Sequence, residues 1–223
     1  MSAERQAAES RQALKRRLRR ILKQLDADYP DAECALRHGS AWELLAATIL
    51  SAQCTDVRVN KVTPALFAAY PTVADVAEAP IAHLQDLVRT TGFFRNKSKS
   101  LKGSARRIVS AYGGQVPARV SQLVTLPGVA RKTANVVTGT WFGKATGVVV
   151  DTHVKRISRR LGLTSETDPN KIERGLMDLL PRKRWVPYSH QIIHHGRKVC
   201  SARRPKCDRC GLASLCPSAF REG

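Results

Sequence analysis

The sequence predicts an all-α protein, and three observations support this class. Apolar residues recur with the 3.6-residue period of an amphipathic helix, as at Leu14, Leu18 and Ile21. Proline and glycine separate the periodic segments where helices usually end. No segment shows the period-two alternation of a half-buried strand; residues 146–150 are β-branched but have no partner strand nearby.

The predicted helices follow one another with short connections. The first is amphipathic and basic on its exposed side, whereas the second is apolar on most sides and is expected to be buried. Later helices are separated by breaking residues at Pro71, Pro80, Gly92 and the pair Gly113-Gly114. The predicted helices cover residues 12–25, 41–51, 57–70, 73–78, 81–90, 97–112, 120–124, 130–142 and 152–161.

The length of 223 residues allows a core in one domain or two small ones. No apolar run approaches the roughly 18 residues of a membrane-spanning helix. The N-terminus has no apolar segment of a secretory signal, and Glu4 and Glu9 argue against a transit peptide. We therefore expect the cysteines to lie in a reducing compartment.

The charge is strongly positive, with 38 basic against 18 acidic residues spread along the chain and a formal net charge of +20. This balance predicts a polyanionic partner, because each neutralised phosphate releases a counterion. A basic protein without such a partner is the alternative. An anionic membrane is disfavoured, since no segment combines a basic face with exposed bulky apolar residues.

Four cysteines near the C-terminus form the pattern C-x6-C-x2-C-x5-C at Cys200, Cys207, Cys210 and Cys216. Four thiolates on one short segment can complete the coordination of one soft metal centre. A zinc ribbon more often brings together two C-x-x-C pairs, and only one is present. The spacing favours an iron–sulfur cube over a zinc tetrahedron, with unligated or disulfide-bonded cysteines as the third alternative.

A Pro-Gly turn in the segment LPGVARKTA, residues 126–134, joins two predicted helices. The first amide groups of the second helix and its dipole make an anion site suited to a phosphate. We expect Gly128, Ala130 and Arg131 to contribute to it. A plain helical corner that binds nothing is the alternative.

Two residues are candidates for catalysis. Lys132 lies in the first turn after this hairpin, where the positive helix end, Arg131 and partial burial would each disfavour its charged form and create an amine nucleophile. A surface or phosphate-binding lysine is the alternative. Asp151 is a predicted N-cap that stays ionised and can stabilise a developing cation, or it is only a cap. His153, beside it, is expected to be structural.

These motifs together resemble the endonuclease III family of DNA glycosylases in the helix-hairpin-helix superfamily. The resemblance rests on LPGVARKTANVV (126–137), VDTHVKR (150–156), the four-cysteine pattern, ILSAQCTDVRVNK (49–61) and HHGRKVC (194–200). It extends over residues 18–217. It implies a monomer with a [4Fe-4S] cluster that acts on double-stranded DNA containing oxidised pyrimidines or abasic sites. It also implies a bacterial, cytoplasmic and nucleoid-associated location.

The resemblance assigns roles to single residues. Lys132 matches the family's catalytic lysine, which forms a Schiff base with the sugar, and Asp151 matches its catalytic aspartate. Gln53 matches a polar residue that fills the gap left by the flipped nucleotide, and Phe93 matches an apolar wedge. A buried amide and a core phenylalanine are the alternatives for these two. Phosphate contacts are implied for Arg203, Arg204 and Lys206. Cys34 and Cys54 lie outside the cluster pattern and are expected to be buried thiols.

Ala130 departs from the family hairpin, which usually reads LPGVG. A positive φ there would strain alanine, whereas a helical position would favour it by roughly 0.5–1 kcal/mol, and we expect the helical case. Residues 1–9 lie outside the resemblance and are expected to be disordered.

The expected architecture has two helical lobes. Residues 34–143 form a six-helix lobe with the helix-hairpin-helix, residues 144–223 form the cluster lobe, and residues 1–33 pack on the latter; the active-site cleft lies between the lobes. The related adenine glycosylases are a rival, but they generally lack the lysine and carry a further C-terminal domain. A non-catalytic DNA-binding or redox-sensing protein would lack Lys132 or Asp151, and both are present.

Overall fold

A computed structural model of the chain describes residues 9–221, in which every regular element is a helix and no strand occurs. The all-α prediction is therefore confirmed. Short 3-10 helices occur at Arg89–Thr91, Arg182–Arg184, Cys207–Arg209 and Ala213–Leu215. The α-helices are α1 (Arg11–Asp28), α2 (Ala41–Leu50), α3 (Asp56–Ala69), α4 (Val73–Glu78), α5 (Ile81–Val88), α6 (Phe94–Tyr112), α7 (Val120–Leu123), α8 (Arg131–Thr140), α9 (Thr152–Arg160), α10 (Pro169–Leu179) and α11 (Trp185–Lys198).

The chain divides into two compact units. The hairpin unit, Cys34–Thr146, contains α2 to α8. Its core is built around α2, which is buried on most sides as predicted, since Leu44, Leu45 and Leu50 are fully buried. The long helix α6 packs on α4 and α5. The core thus fixes the ends of α2 and α6, from which the candidate DNA-contacting turns extend.

The cluster unit combines α1 with the chain from Gly147 onward. Its core includes Ile21 and Leu25 of α1 and Tyr188 and Ile192 of α11. Residues 148–150 are buried and belong to no helix, and the Ser189 hydroxyl accepts a hydrogen bond from the Val149 amide at 3.0 Å. This segment leads directly into α9.

Helix boundaries differ from the predictions at identifiable places. The helix predicted for residues 81–90 ends at Val88 and continues as a 3-10 turn. Helix α6 begins at Phe94, three residues earlier than predicted, because Phe93 has a left-handed backbone with φ of 47°. Helices α10 and α11 had no predicted boundaries.

The predicted disorder at the N-terminus concerns residues 1–8, which lie outside the described residues. Glu9 is described and forms an ion pair with Arg17 at 2.6 Å, so the prediction is wrong for that residue. Within residues 9–221 no helix is long and apolar enough to cross a membrane.

Candidate active site and cluster-binding segment

The hairpin between α7 and α8 is held by its apolar residues and by α6. Leu126 and Val129 are buried, while Pro127 and Gly128 between them are exposed. The Val129 amide donates to the Leu126 carbonyl at 3.1 Å, and the Ser104 hydroxyl donates to the Pro127 carbonyl at 2.7 Å. The tip of the turn is therefore exposed, and buried apolar residues and hydrogen bonds hold the turn in place.

Gly128 is required at the tip of the hairpin for two reasons. Its φ is 76°, which strains any residue with a side chain. In addition, a Cβ there would lie 2.6 Å from both Cβ and Oγ of Ser100 on α6. The hairpin can approach α6 this closely only with glycine.

Ala130 is the N-cap of α8, with φ of −86° and ψ of 171°. The prediction that alanine is unstrained at this position is confirmed, because φ is negative. The prediction of a helical conformation is wrong, because the backbone is extended and the helix begins at Arg131. Alanine supplies no side-chain cap. The positive end of the α8 dipole at this turn favours an anion such as a phosphate.

Lys132 lies in the first turn of α8, as predicted, and its side chain is exposed. The prediction that Lys132 is partly buried is therefore wrong for the protein without bound DNA. The next turns of the helix carry the buried residues Ala134, Asn135 and Val137, which fix the face on which the lysine projects outward. The amine is thus accessible to a large substrate.

Asp151 caps α9 as predicted. Its Oδ1 accepts a hydrogen bond from the Val154 amide at 2.8 Å, which fixes the orientation of the carboxylate. His153 fits its expected structural role, because its Nδ1 lies 3.2 Å from a guanidinium nitrogen of Arg156. A Cβ on Gly196 would come within 2.4 Å of this nitrogen, so glycine lets α11 pass close to the ring.

Gln53 and Phe93 line the same surface pocket of about 250 Å³, together with Gly128. Gln53 is exposed and Phe93 is 64% exposed, so a buried amide and a core phenylalanine are both excluded. Both have a left-handed backbone, with φ of 52° and 47°. Such a conformation is rare for residues other than glycine and often occurs at functional sites.

The four cysteines Cys200, Cys207, Cys210 and Cys216 line one small pocket and are half-buried, free thiols. Burial, with smaller contributions from the neighbouring cysteines, raises the pKa of Cys210 to about 11. Burial also raises the pKa of Cys216. Because their pKa values are raised, the thiols of Cys210 and Cys216 need a cationic centre to exist as thiolates at neutral pH.

The surroundings of these thiols suit a cluster rather than disulfides. Backbone amides of Leu212, Ser218 and Ala219 donate to the sulfurs of Cys210 and Cys216. Hydrogen bonds to sulfur are typical of iron–sulfur sites. Within residues 9–221 no group of three or more His, Cys, Asp or Glu side chains is arranged to hold a single metal ion. The thiols are instead distributed around the pocket walls.

Two residues that the sequence did not single out support this segment. Arg160 of α9 donates to Cys200 Sγ at 3.3 Å, to the Ser201 carbonyl at 2.7 Å and to the Ala202 carbonyl at 2.9 Å. His195 is buried, with Nε2 at 3.7 Å from Cys210 Sγ. Only the position of His195 inside the motif HHGRKVC could have indicated it.

The loop after Cys200 presents Arg203, Arg204 and Lys206 as exposed side chains. The Ser201 hydroxyl donates to the Arg204 carbonyl at 2.6 Å and accepts from the Arg204 amide at 3.2 Å. The loop is therefore shaped by its own bonds and by Arg160.

The cysteines outside the pattern, Cys34 and Cys54, were expected to be buried. Both are instead partly buried thiols that pack against the core of the hairpin unit.

Comparison with known proteins agrees with these features. Residues 46–182 match the family model of the HhH-GPD superfamily base excision DNA repair protein, and residues 200–216 match the iron-sulfur binding domain of endonuclease III. Endonuclease III of Synechocystis sp. is 56% identical over 92% of this chain and 94% of its own length. Endonuclease III of Bacillus subtilis is 43% identical over 87% of each chain.

A solved structure of a non-covalent endonuclease III–DNA complex is also similar. It has a TM-score of 0.88 and 40% sequence identity, covering 93% of this chain and 97% of the other. The helical fold, the hairpin and the cysteine segment thus define a helix-hairpin-helix base excision repair protein. Within that class, the chain belongs to the endonuclease III family. It is a DNA glycosylase with abasic-site lyase activity, its partner is DNA and its cofactor is a [4Fe-4S] cluster.

Proposed function

We propose that this enzyme removes oxidised pyrimidines from duplex DNA, with Lys132 as the nucleophile, and then cleaves the strand at the abasic site. The observation that carries this proposal is the exposed amine of Lys132 in the first turn after the hairpin. A phosphate held by the hairpin amides would bring a nucleotide close to this amine. We further propose that the enzyme acts as a monomer, on nucleoid DNA in the bacterial cytoplasm.

The chemistry begins when the neutral amine of Lys132 attacks C1′ of a flipped nucleotide and the damaged base leaves with the electrons of the glycosidic bond. Ring opening gives a Schiff base between Nζ and C1′. A base then removes an acidified 2′ proton, and the bond between C3′ and its oxygen breaks, so that the downstream part of the strand leaves with a 5′ phosphate. Hydrolysis of the Schiff base restores the lysine.

Asp151 would stabilise the positive charge that develops on the sugar as the base leaves. Its bond to the Val154 amide restricts the rotation of the carboxylate, so little reorganisation is needed during the reaction. The same carboxylate would also assist the deprotonation of Lys132. Since Lys132 is exposed, bound DNA rather than the protein core would exclude water from the amine.

DNA recognition would use both units. In the hairpin unit, backbone amides at Gly128 and Ala130 and the side chain of Arg131 would hold a phosphate, while Gln53 and Phe93 would enter the base stack. In the cluster unit, the exposed cations of the loop would bind further phosphates. These are Arg203, Arg204 and Lys206.

Cys200, Cys207, Cys210 and Cys216 would hold the [4Fe-4S] cluster. The cluster supplies a rigid four-point attachment in a segment that has little apolar core. Arg160 would stabilise the negative charge on Cys200 Sγ and keep the following loop in position.

The substrate class is tested by measuring base release from duplexes that contain thymine glycol, 5-hydroxycytosine, 8-oxoguanine or adenine opposite 8-oxoguanine. The proposal expects release of the two oxidised pyrimidines and strand cleavage at the same site. Preferential release of adenine without strand cleavage would support the adenine glycosylase class instead. Lys132→Ala, with its cluster intact, should release no base.

A further inference from the structure

Lys97 is a charged residue on the buried face of α6. Its side chain is 5% exposed, and it shares a buried stripe with Leu101, Ala105 and Ile108. Burying an ammonium group is costly unless hydrogen bonds replace its water. Packing alone therefore does not explain a lysine at this position. The sequence already indicates the unusual placement, because Lys97 falls in the helical repeat of the apolar residues.

The ammonium group joins two segments that are distant along the chain. Nζ donates to the Leu50 carbonyl at 2.9 Å and to the Thr91 carbonyl at 2.7 Å. Leu50 is the last residue of α2, and Thr91 is the last residue of the 3-10 turn after α5. The ammonium group supplies a hydrogen-bond donor and a positive charge to these two carbonyls, which lie at helix ends and have no amide partner further along their own helices.

Each of these carbonyls directly precedes a turn with unusual backbone geometry. Gln53 follows Leu50 by three residues, and Phe93 follows Thr91 by two. Both have positive φ, and both line the pocket that Lys97 also lines. The backbone amide of Lys97 donates to the Phe93 carbonyl at 3.0 Å as well. Lys97 thus makes hydrogen bonds at the start of both turns.

We propose that Lys97 is a positioning residue that holds the Gln53 and Phe93 turns at a fixed separation, so that both side chains can enter the duplex at one lesion. This inference rests on the proposed function, in which these two residues occupy the base stack. Two turns that moved independently would have to be ordered when DNA binds, and the lost entropy would weaken lesion-specific binding. Binding to undamaged DNA, which needs no inserted residue, would be unaffected.

The chain offers a matched control in Lys102, which lies on the same helix. Its Nζ donates to the Ala79 carbonyl at 2.6 Å, and Lys102 does not line the pocket that Gln53 and Phe93 share. Loss of Lys102 removes a lysine–carbonyl bond of the same kind. If lysine–carbonyl bonds of this kind only stabilise the hairpin unit in general, the variants of Lys97 and Lys102 should both lose affinity.

The experiment uses the cluster-loaded, full-length protein and measures fluorescence anisotropy with two duplexes, one undamaged and one with a tetrahydrofuran abasic analogue. For Lys97→Met we expect binding to the abasic analogue to weaken about ten- to thirtyfold, since two charged hydrogen bonds are lost. Binding to undamaged DNA should change less than about twofold. Lys102→Met should leave both affinities unchanged.

Two further variants separate positioning from simple destabilisation. In a protein that already carries Gln53→Ala and Phe93→Ala, Lys97→Met should have no additional effect on the abasic duplex, because the residues it positions are absent. Lys97→Gln, whose amide can still donate to the carbonyls, should recover part of the affinity. Equal losses with both duplexes, or an undiminished loss in the double-alanine background, would overturn the inference. Failure of both Lys97 variants to fold would also overturn it, because Lys97 would then be a core residue.

The outcomes also distinguish this inference from the function on which it rests. If the unmodified enzyme does not prefer the abasic duplex, the proposed function fails. If it does prefer it and Lys97→Met retains the preference, only the role of Lys97 is wrong.

Discussion

The hairpin unit and the cluster unit hold their candidate functional residues in different ways. In the hairpin unit an extensive apolar core supports short turns, so exposed residues such as Gln53 and Phe93 can keep a strained backbone. In the cluster unit residues 200–216 contain only two 3-10 turns, and just Leu212 and Leu215 among them are buried apolar side chains. Core packing positions the first set, whereas metal ligation and arginine–carbonyl bonds must position the second.

Loss of a proposed cluster ligand should have the largest effect and should remain local. In Cys207→Ala we expect no cluster absorbance, rapid proteolysis within residues 200–216 and DNA binding weakened about tenfold or more, because the loop cations lose their support. Most of the helical circular dichroism should persist. Cys54→Ala, at a cysteine of the hairpin unit, is the control and should keep the cluster. Global unfolding of Cys207→Ala would show that the two units do not differ in this way.

Gly128→Ala should have the next largest effect, and it tests how tightly the core supports the hairpin. The added Cβ would meet Ser100 at 2.6 Å in addition to the strain of φ at 76°. We expect a loss of unfolding free energy of about 2–4 kcal/mol, measured by urea denaturation.

Gly113→Ala provides the matched comparison in the same unit. Its φ is 58° and no atom lies within 4 Å of the added Cβ, so only the backbone strain applies, about 1–2 kcal/mol. Equal losses for the two variants would mean that the contact with α6 carries no energy.

Arg160→Gln should loosen the cluster segment without unfolding the unit. It removes the bonds to Cys200 Sγ and to the carbonyls of Ser201 and Ala202. We expect the cluster absorbance to decay several-fold faster under a chelator, since hydrogen bonds to a charged group are each worth up to about 1.5–3 kcal/mol and less where they are exposed. Arg159→Gln, at an exposed neighbour on α9, should decay like the unmodified protein. Identical decay of both variants would contradict the role of Arg160.

Arg203→Ala should have the smallest effect. Removal of one phosphate contact should lower the slope of log affinity against log salt by about 1, without changing the preference for damaged DNA. Lys171→Ala, exposed on α10 and outside the predicted contacts, should keep the original slope. An unchanged slope for Arg203→Ala would remove this loop from the DNA interface.

Local signals made part of the structure predictable. Helix α4 was predicted with its observed bounds, because Pro71 and Pro80 lie on either side of it. The structure adds a capping box formed by Thr72 and Asp75. The N-cap role of Asp151 also follows from local chemistry, because a short side chain with an acceptor oxygen precedes the helix. In contrast, the start of α6 was wrong because a bulky residue, Phe93, adopts a backbone conformation that usually requires glycine.

Long-range contacts limited the prediction of the site. The partners of Lys97 include Leu50, 47 residues away, and Arg160 reaches Cys200 across 40 residues. Neither pairing has a signature in one sequence. The exposure of Lys132 was mispredicted for the same reason, since burial depends on which elements pack around a helix end.

The proposed nucleophile is the central claim, and borohydride trapping on a duplex with one thymine glycol tests it most directly. The unmodified, cluster-loaded enzyme should form a covalent adduct, because reduction of the Schiff base fixes the amine to the sugar. Lys132→Ala should form none, and Asp151→Asn should form it more slowly while remaining folded. An adduct from Lys132→Ala would place the nucleophile elsewhere, and no adduct from the unmodified enzyme would contradict the amine mechanism.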